Sequence, residues 1–373
     1  VTFVACRKPY TPSVISTTDS YLVVEGVINS GSDSTIISLS RTVPLSVNSD
    51  PIAELNAQVT IEPENGGGSY PLYEFSAGKY ATAGLNLDVT KKYRLHIMVA
   101  GSEYASDYMP VKKTPPIDSI SYKISSKGLQ INANTHDPAN GTRYYRWAYE
   151  ESWRFHSRYN SGLIVKNGAI VARSAGEMVY YCYAGDRSSN IILASSSKLT
   201  QDVISEAPVT IIPPTSEKLG IKYSILLKQY ALTKEEYAFW ENMKKNSEQL
   251  GSIFDPQPSQ NNGNIHNLTH PDQPAIGFIS ITNVQTKRIF LDSSLFPADW
   301  GPLNDPSCGV DSALYNDPKT GRDEVQNKII RGGLIPMATI SPDGYHIIGY
   351  TASSVYCIDC TLRGKVEAPP FWQ

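Results

Sequence analysis

The chain has 373 residues, with 33 Lys and Arg against 36 Asp and Glu for a formal net charge of −3. That length suits two domains, and 40% hydrophobic with 18% charged residues can bury cores, which excludes wholesale disorder. The near-neutral balance argues against nucleic acid and against polybasic membrane adhesion, and no apolar run approaches the ~20 residues of a spanning helix. With 25 Pro and 26 Gly, the chain reads as turn-rich and mostly β.

In chain order, residues 1–5 read as the remnant of a signal peptide, because Val4-Ala5-Cys6 resembles a lipobox. Such a site needs small residues before a cysteine whose sulfur takes a diacylglycerol. Cys6 is therefore the expected lipidation site, and two or three acyl chains at about 0.8 kcal/mol per buried CH₂ would hold the protein on a membrane. Residues 6–20 would form an extended tether, since Pro9 and Pro12 disfavour helix.

Short strands are expected from Tyr21 onward: 21–28, 35–39, 57–61 and, after Gly66-Gly67-Gly68, 72–75 and Tyr80. The clearest is Tyr93, Leu95, Ile97, Val99, whose alternation sends Arg94, His96 and Met98 to the other face. Such spacing predicts an immunoglobulin-like β-sandwich over 21–112. Lys112-Lys113-Thr114-Pro115-Pro116 reads as a linker, and 117–373 as a larger β-rich domain with strands at 117–124, 129–133, 144–153, 178–184, 191–194, 209–212, 223–231, 277–281, 287–291 and 345–350. One helix is expected near 234–250. Thr233 and Glu236 form a capping box, Tyr237, Trp240, Met243 and Leu250 supply an apolar stripe, and Gly251 stops it.

Apart from Cys6, the cysteines are Cys182, Cys308, Cys357 and Cys360. Outside the reducing cytosol an even number favours two disulfides, with three connectivities possible. Cys357-Ile-Asp-Cys360 could also be a redox pair or half a zinc site, but it lacks a thioredoxin-like βαβ context and a second C-x-x-C.

Motifs for chemistry are few. His266 and His270 are four apart, yet Asn267 stands where a helical zinc site needs Glu and Pro271 follows, so no metal is expected. Neither a nucleophile elbow nor a Walker loop occurs, and Glu150 and Glu151, adjacent on a strand, would point to opposite faces and could not flank one glycosidic bond. No catalytic set and no cofactor is expected. Nine aromatic residues, Tyr144, Tyr145, Trp147, Tyr149, Trp153, Tyr159 and Tyr180, Tyr181, Tyr183, are concentrated in one stretch and divide between core and a candidate glycan or peptide site. The loop 253–264 offers Phe254, Asp255, Gln257 and Asn264 as partner-binding residues, against the reading that its amides tie down buried backbone. Residues 296–311 are a second candidate docking loop.

The run 224–264, with Phe254-Asp255-Pro256-Gln257-Pro258, resembles the hallmark segment of the Bacteroidetes lipoprotein family called domain of unknown function 4249. Leu22-Val23-Val24-Glu25-Gly26, Leu39-Ser40-Arg41-Thr42, Pro115-Pro116-Ile117-Asp118-Ser119, Tyr144-Tyr145-Arg146-Trp147, Cys357 to Cys360 and the closing Pro369-Pro370-Phe371-Trp372 agree with it. The resemblance implies a non-enzymatic, lipid-anchored outer-membrane protein at the cell surface, serving as an accessory or interaction subunit of a TonB-dependent transporter complex. Two other functions remain open: a free-standing surface binding module for glycan or peptide, and an envelope hydrolase with dispersed catalytic residues.

Overall fold

In a computed structural model of the chain, residues 20–43, 50–248, 263–302 and 305–372 are described. Cys6 and the proposed tether before Ser20 lie outside them, as do Phe254, Asp255, Gln257 and Leu250. The chain divides into two compact units, residues 1–114 with 230–284, and 115–229 with 285–373.

Unit 1 is mostly β. Leu22–Asn29, Thr35–Arg41 and Lys79–Thr82 pair antiparallel in one layer; Gln58–Pro63, Lys92–Val99 and Ser102–Ser106 pair in another. Strand Tyr70–Ser76 belongs to both, pairing first with Gln58–Pro63 and then, past Leu72, with Lys79–Thr82, where a bulge bends it. Both layers face one core that includes Val24, Ile37, Leu39, Ile61, Leu95 and Ile97. The expected alternation is present: Tyr93, Leu95, Ile97 and Val99 are buried, and Arg94, His96 and Met98 face outward.

The continuous sandwich expected over 21–112 is incomplete by itself. Ile265–Asn267 pairs with Ser102–Ser106 and Ile281–Thr282 pairs in parallel with Leu22–Asn29, so later chain supplies both outer strands. The second domain expected over 117–373 is correspondingly interrupted, because 230–284 belongs to unit 1. Nor is the expected linker a solvated tether. Lys112 donates its backbone N–H to Ile281 O at 2.8 Å, Thr114 is 1% exposed, and Thr114 Oγ1 accepts the Ala231 N–H at 3.0 Å. Prolines supply no donors here, but the residues before them are spent on strands that arrive from far along the chain.

The expected helix is Lys234–Glu248, with Thr233 Oγ1 accepting the Glu236 N–H at 3.1 Å. Its buried positions are Glu236 and Phe239 rather than the stripe expected at Tyr237, Trp240 and Met243. Phe239 takes that place because its ring meets Phe278 at 5.3 Å, in a segment the sequence pattern did not connect with the helix.

Unit 2 is also β-rich. A three-stranded sheet orders Ile117–Ser125, Gly128–Asp137 and Asp202–Ile212; a second orders Tyr181–Arg187, Tyr144–His156, Lys222–Ala231 and Gln285–Asp292, with Ile192–Ser195 on the far end of Tyr144–His156. Their core includes Leu129, Ile131, Tyr145, Trp147, Tyr223 and Ile225. A satellite cluster sits where Asp311–Leu314, Gly349–Ser353 and Ile335–Ile340 form a small sheet. The strand expected at 345–350 begins only at Gly349; the Asp343 carboxylate accepts the Tyr345 and His346 N–H groups and holds the preceding residues in a turn.

Candidate functional site

Two disulfides organise the site. Cys182 joins Cys360 across 178 residues and Cys308 joins Cys357 across 49, so the two cysteines of the C-x-x-C take different distant partners. Neither a redox pair nor half a zinc site is formed. The bonds hold the segment after Cys360 beside strand Tyr181–Arg187, and three further contacts fix its path. Arg363 pairs with Glu217 and lies over the Phe155 ring at 4.8 Å. Gly364 passes so close that a Cβ there would stand 2.5 Å from Tyr183 O and 2.9 Å from the Phe155 ring. Lys365 then exchanges both backbone hydrogen bonds with Tyr183, at 2.7 and 2.9 Å. Beyond it the chain crosses the outward face of the sheet: Arg288 lies 3.6 Å from the Phe371 ring centre, and Trp372 meets Tyr183 at 5.1 Å and Phe290 at 5.7 Å, edge to face.

A cleft lies between this segment and the sheet, and the strand register explains it. On the outward face Arg154 is opposite Tyr183, Ser152 opposite Gly185, and Glu150 opposite Arg187. Two of the smallest side chains therefore meet between two pairs of large ones, leaving a gap in the surface of the sheet. Glu150, Ser152, Gly185, Arg187 and Phe371 border a space of about 440 Å³; Ser152, Tyr183, Gly185, Lys365 and Phe371 border one of about 500 Å³. Such volumes are in the range that holds small ligands.

The electrostatics of the cleft are nearly balanced. Lys228 Nζ lies 2.7 Å from Glu150 Oε1, and Arg187 Nε lies 4.0 Å from it. Partial burial favours the neutral acid, but Lys228, Arg187 and Arg288 outweigh it and hold the Glu150 carboxyl below the usual glutamate range. Glu151 points to the opposite face, is 4% exposed, and accepts hydrogen bonds from Lys218 and the Tyr223 hydroxyl. Burial, together with the neighbouring Glu151 charge, raises the Tyr223 hydroxyl well above the ordinary tyrosine value.

The aromatic-rich stretch divides as its strand alternation dictates. Tyr145 and Trp147 are core residues whose polar tips bond to Asp202 and Gln229. Tyr149 donates to Thr210, Tyr159 to Cys308 O, and Trp153 to Glu217. Tyr180 and Tyr181 form a group with His156 and with Arg154, whose guanidinium lies 4.4 Å from the Tyr181 ring centre; Tyr181 and His156 are exposed, Tyr180 and Arg154 half-buried. Only Tyr183 borders the cleft.

Asn264, expected to bind a partner, is 4% exposed, and its side-chain amide both accepts from and donates to the Ile279 backbone at 2.8 Å. It has no free face for docking; its residue type serves to tie two backbone passes together. His266 bonds Asp107 at 2.9 Å. The sequence reading missed Ser152, Gly185, Arg187 and Lys365, and no local signal marks them, because they become a site only through cross-strand pairing. Phe371 was visible as part of an aromatic ending but not as the wall of a cleft.

Residues 7–288 match the family described as domain of unknown function (DUF4249). The chain belongs to the DUF4249 family. The match takes in the cleft floor at Ser152 and Gly185 and ends before Phe371, so the wall is contributed from beyond the matched residues. No curated protein matches the chain. Among solved structures, the chicken CNTN1 FN1-FN3 domains are 12% identical, with 56% of this chain and 60% of that one covered and a TM-score of 0.19. The Escherichia coli adhesin FdeC is 13% identical, with 52% and 63% covered and a TM-score of 0.14. Likenesses that weak bear on neither the fold nor the function of this DUF4249 protein.

Proposed function

We propose that this DUF4249 protein is a non-enzymatic outer-membrane lipoprotein, held at the cell surface by acyl chains on Cys6 and acting as an accessory or interaction subunit of a TonB-dependent transporter complex. The observation that carries the reading is the pair of disulfides, which fit an oxidising compartment outside the cytosol. Val4-Ala5-Cys6 and the family resemblance supply the anchor and the partner class. Confinement to the membrane plane raises the effective concentration of an anchored subunit beside a membrane partner, so modest contacts suffice. Residues 253–264 and 296–311 remain the proposed contact loops, without Asn264 as a contact, since its amide is tied to the Ile279 backbone. A binding role also suits the cleft chemistry. Glu150 is held ionised and so is a poor proton donor, while Glu151 faces the core, so these adjacent carboxylates do not act as an acid and base pair across the cleft.

The test is co-purification of the tagged full chain in mild detergent, before and after crosslinking. Recovery of a TonB-dependent transporter is expected, and Cys6→Ser is expected to move the protein to soluble fractions. Purification alone in more than one detergent removes the transporter assignment; wild-type protein without lipid by intact mass removes the anchor. The second reading, a free-standing surface binding module for glycan or peptide, is favoured by one observation, the cleft beneath the 363–372 segment.

A further inference from the structure

The cleft has a definite chemical character. Its floor is two small residues, Ser152 and Gly185, so a ligand ring can approach the backbone of the sheet closely. On one side stand a carboxylate and a guanidinium 4.0 Å apart, Glu150 and Arg187, an acceptor and a donor spaced for neighbouring groups that each donate and accept. On another stands Phe371, one face of its ring taken by Arg288 and its remaining surface turned to the cleft. Charges around the floor come in both signs, with Glu150 and Glu367 against Arg187 and Lys365, so a strongly charged ligand would be repelled about as much as attracted.

We infer that this cleft binds a neutral pyranose ring of a glycan, seated on the Ser152 and Gly185 floor against Phe371, with adjacent hydroxyls bonded to Glu150 and Arg187. Hydroxyls are both donors and acceptors, which matches a mixed carboxylate and guanidinium wall, and the C–H face of a pyranose is apolar enough to lie on an aromatic ring. A peptide strand would instead use the backbone edge of Tyr181–Arg187, and there the Tyr183 position is already filled by Lys365. The inference rests on the second reading, the binding module, and names the ligand class and the residues.

The experiment is native-gel retardation of the full chain in mannan, xylan, dextran and mixed-linkage β-glucan, with acidic polygalacturonate and a tryptic digest of casein as comparators. Calorimetry then uses an oligosaccharide of whichever neutral polymer retards the protein. Retardation by at least one neutral polymer is expected, weakened about tenfold by Phe371→Ala and similarly by Arg187→Ala, with thermal unfolding unchanged by the latter. Arg187 has a side chain 81% exposed, so its loss leaves the fold intact and keeps the test open should Phe371→Ala unfold the segment. Neutral-glycan binding that survives Arg187→Ala and Phe371→Ala alike overturns the cleft assignment while leaving a binding module. Binding only to polygalacturonate or to casein peptides, or retardation by no neutral polymer, overturns the ligand class. Failure with every glycan and with the peptides overturns the binding-module reading as well.

Discussion

Strand Lys92–Val99 of unit 1 and strand Tyr144–His156 of unit 2 obey the same alternation, yet their outward faces differ. In unit 1 long charged side chains bridge neighbouring strands: Arg94 donates to Glu62 at 2.8 Å, and the His96 ring lies 3.1 Å from Glu62 and 2.8 Å from Glu103. That face is filled. In unit 2 the corresponding row places Ser152 opposite Gly185, and the gap between the larger pairs becomes a cleft. Alternation decides which side chains face outward, whereas the size of their cross-strand neighbours decides whether a site forms.

The largest expected contrast between the units is redox. Both disulfides lie in unit 2, and none is present in unit 1 among the described residues. Replacing Cys182 and Cys360 by Ala should destabilise unit 2 by about 2–5 kcal/mol and leave unit 1 unchanged. Calorimetry should show one of two transitions shifting; a single transition that moves as a whole would mean that the units unfold together.

Core substitutions should come next and should be alike in the two units. Leu95→Ala, at a residue 1% exposed, is expected to cost about 2–5 kcal/mol in urea titrations. Met98→Ala, on the outward face at 49% exposure, should cost less than about 0.5 kcal/mol. Equal losses at the two positions would break the inside-outside assignment of that strand.

Acid should separate the outward faces further. Because the folded state holds Glu150 below its usual value, its contribution is complete above the ordinary glutamate range and fades as pH falls through the lowered one. The stability difference between wild type and Glu150→Gln should therefore shrink on acidification. A difference that grew as pH fell would reverse the sign of the Lys228 and Glu150 interaction.

The smallest effect is expected at Lys123 and Glu206, an exposed pair at 2.6 Å in unit 2. A double-mutant cycle there should give less than about 1 kcal/mol, falling with added salt. A larger coupling would show that surface pairs in unit 2 contribute as much as partly buried ones such as Arg94 and Glu62.

Much of this protein could be read locally. Alternation at Tyr93 to Val99, turn residues between short strands, Thr233 before the helix and an even set of paired cysteines each report on physics within a few residues, or on composition. The sequence by itself thus determined the β class, the helix, the likeness to the DUF4249 family and the expectation of two disulfides. Only the tertiary structure decided which cysteines pair, that 230–284 returns to unit 1, that Asn264 is buried, and that Phe239 rather than the expected stripe faces the core. It also decided the cleft, since Ser152 and Gly185 are 33 residues apart and Phe371 is further still. The physical reason is common to all of these: each depends on partners brought together by strand register and long-range pairing, and a sequence pattern records only the periodicity of one element at a time.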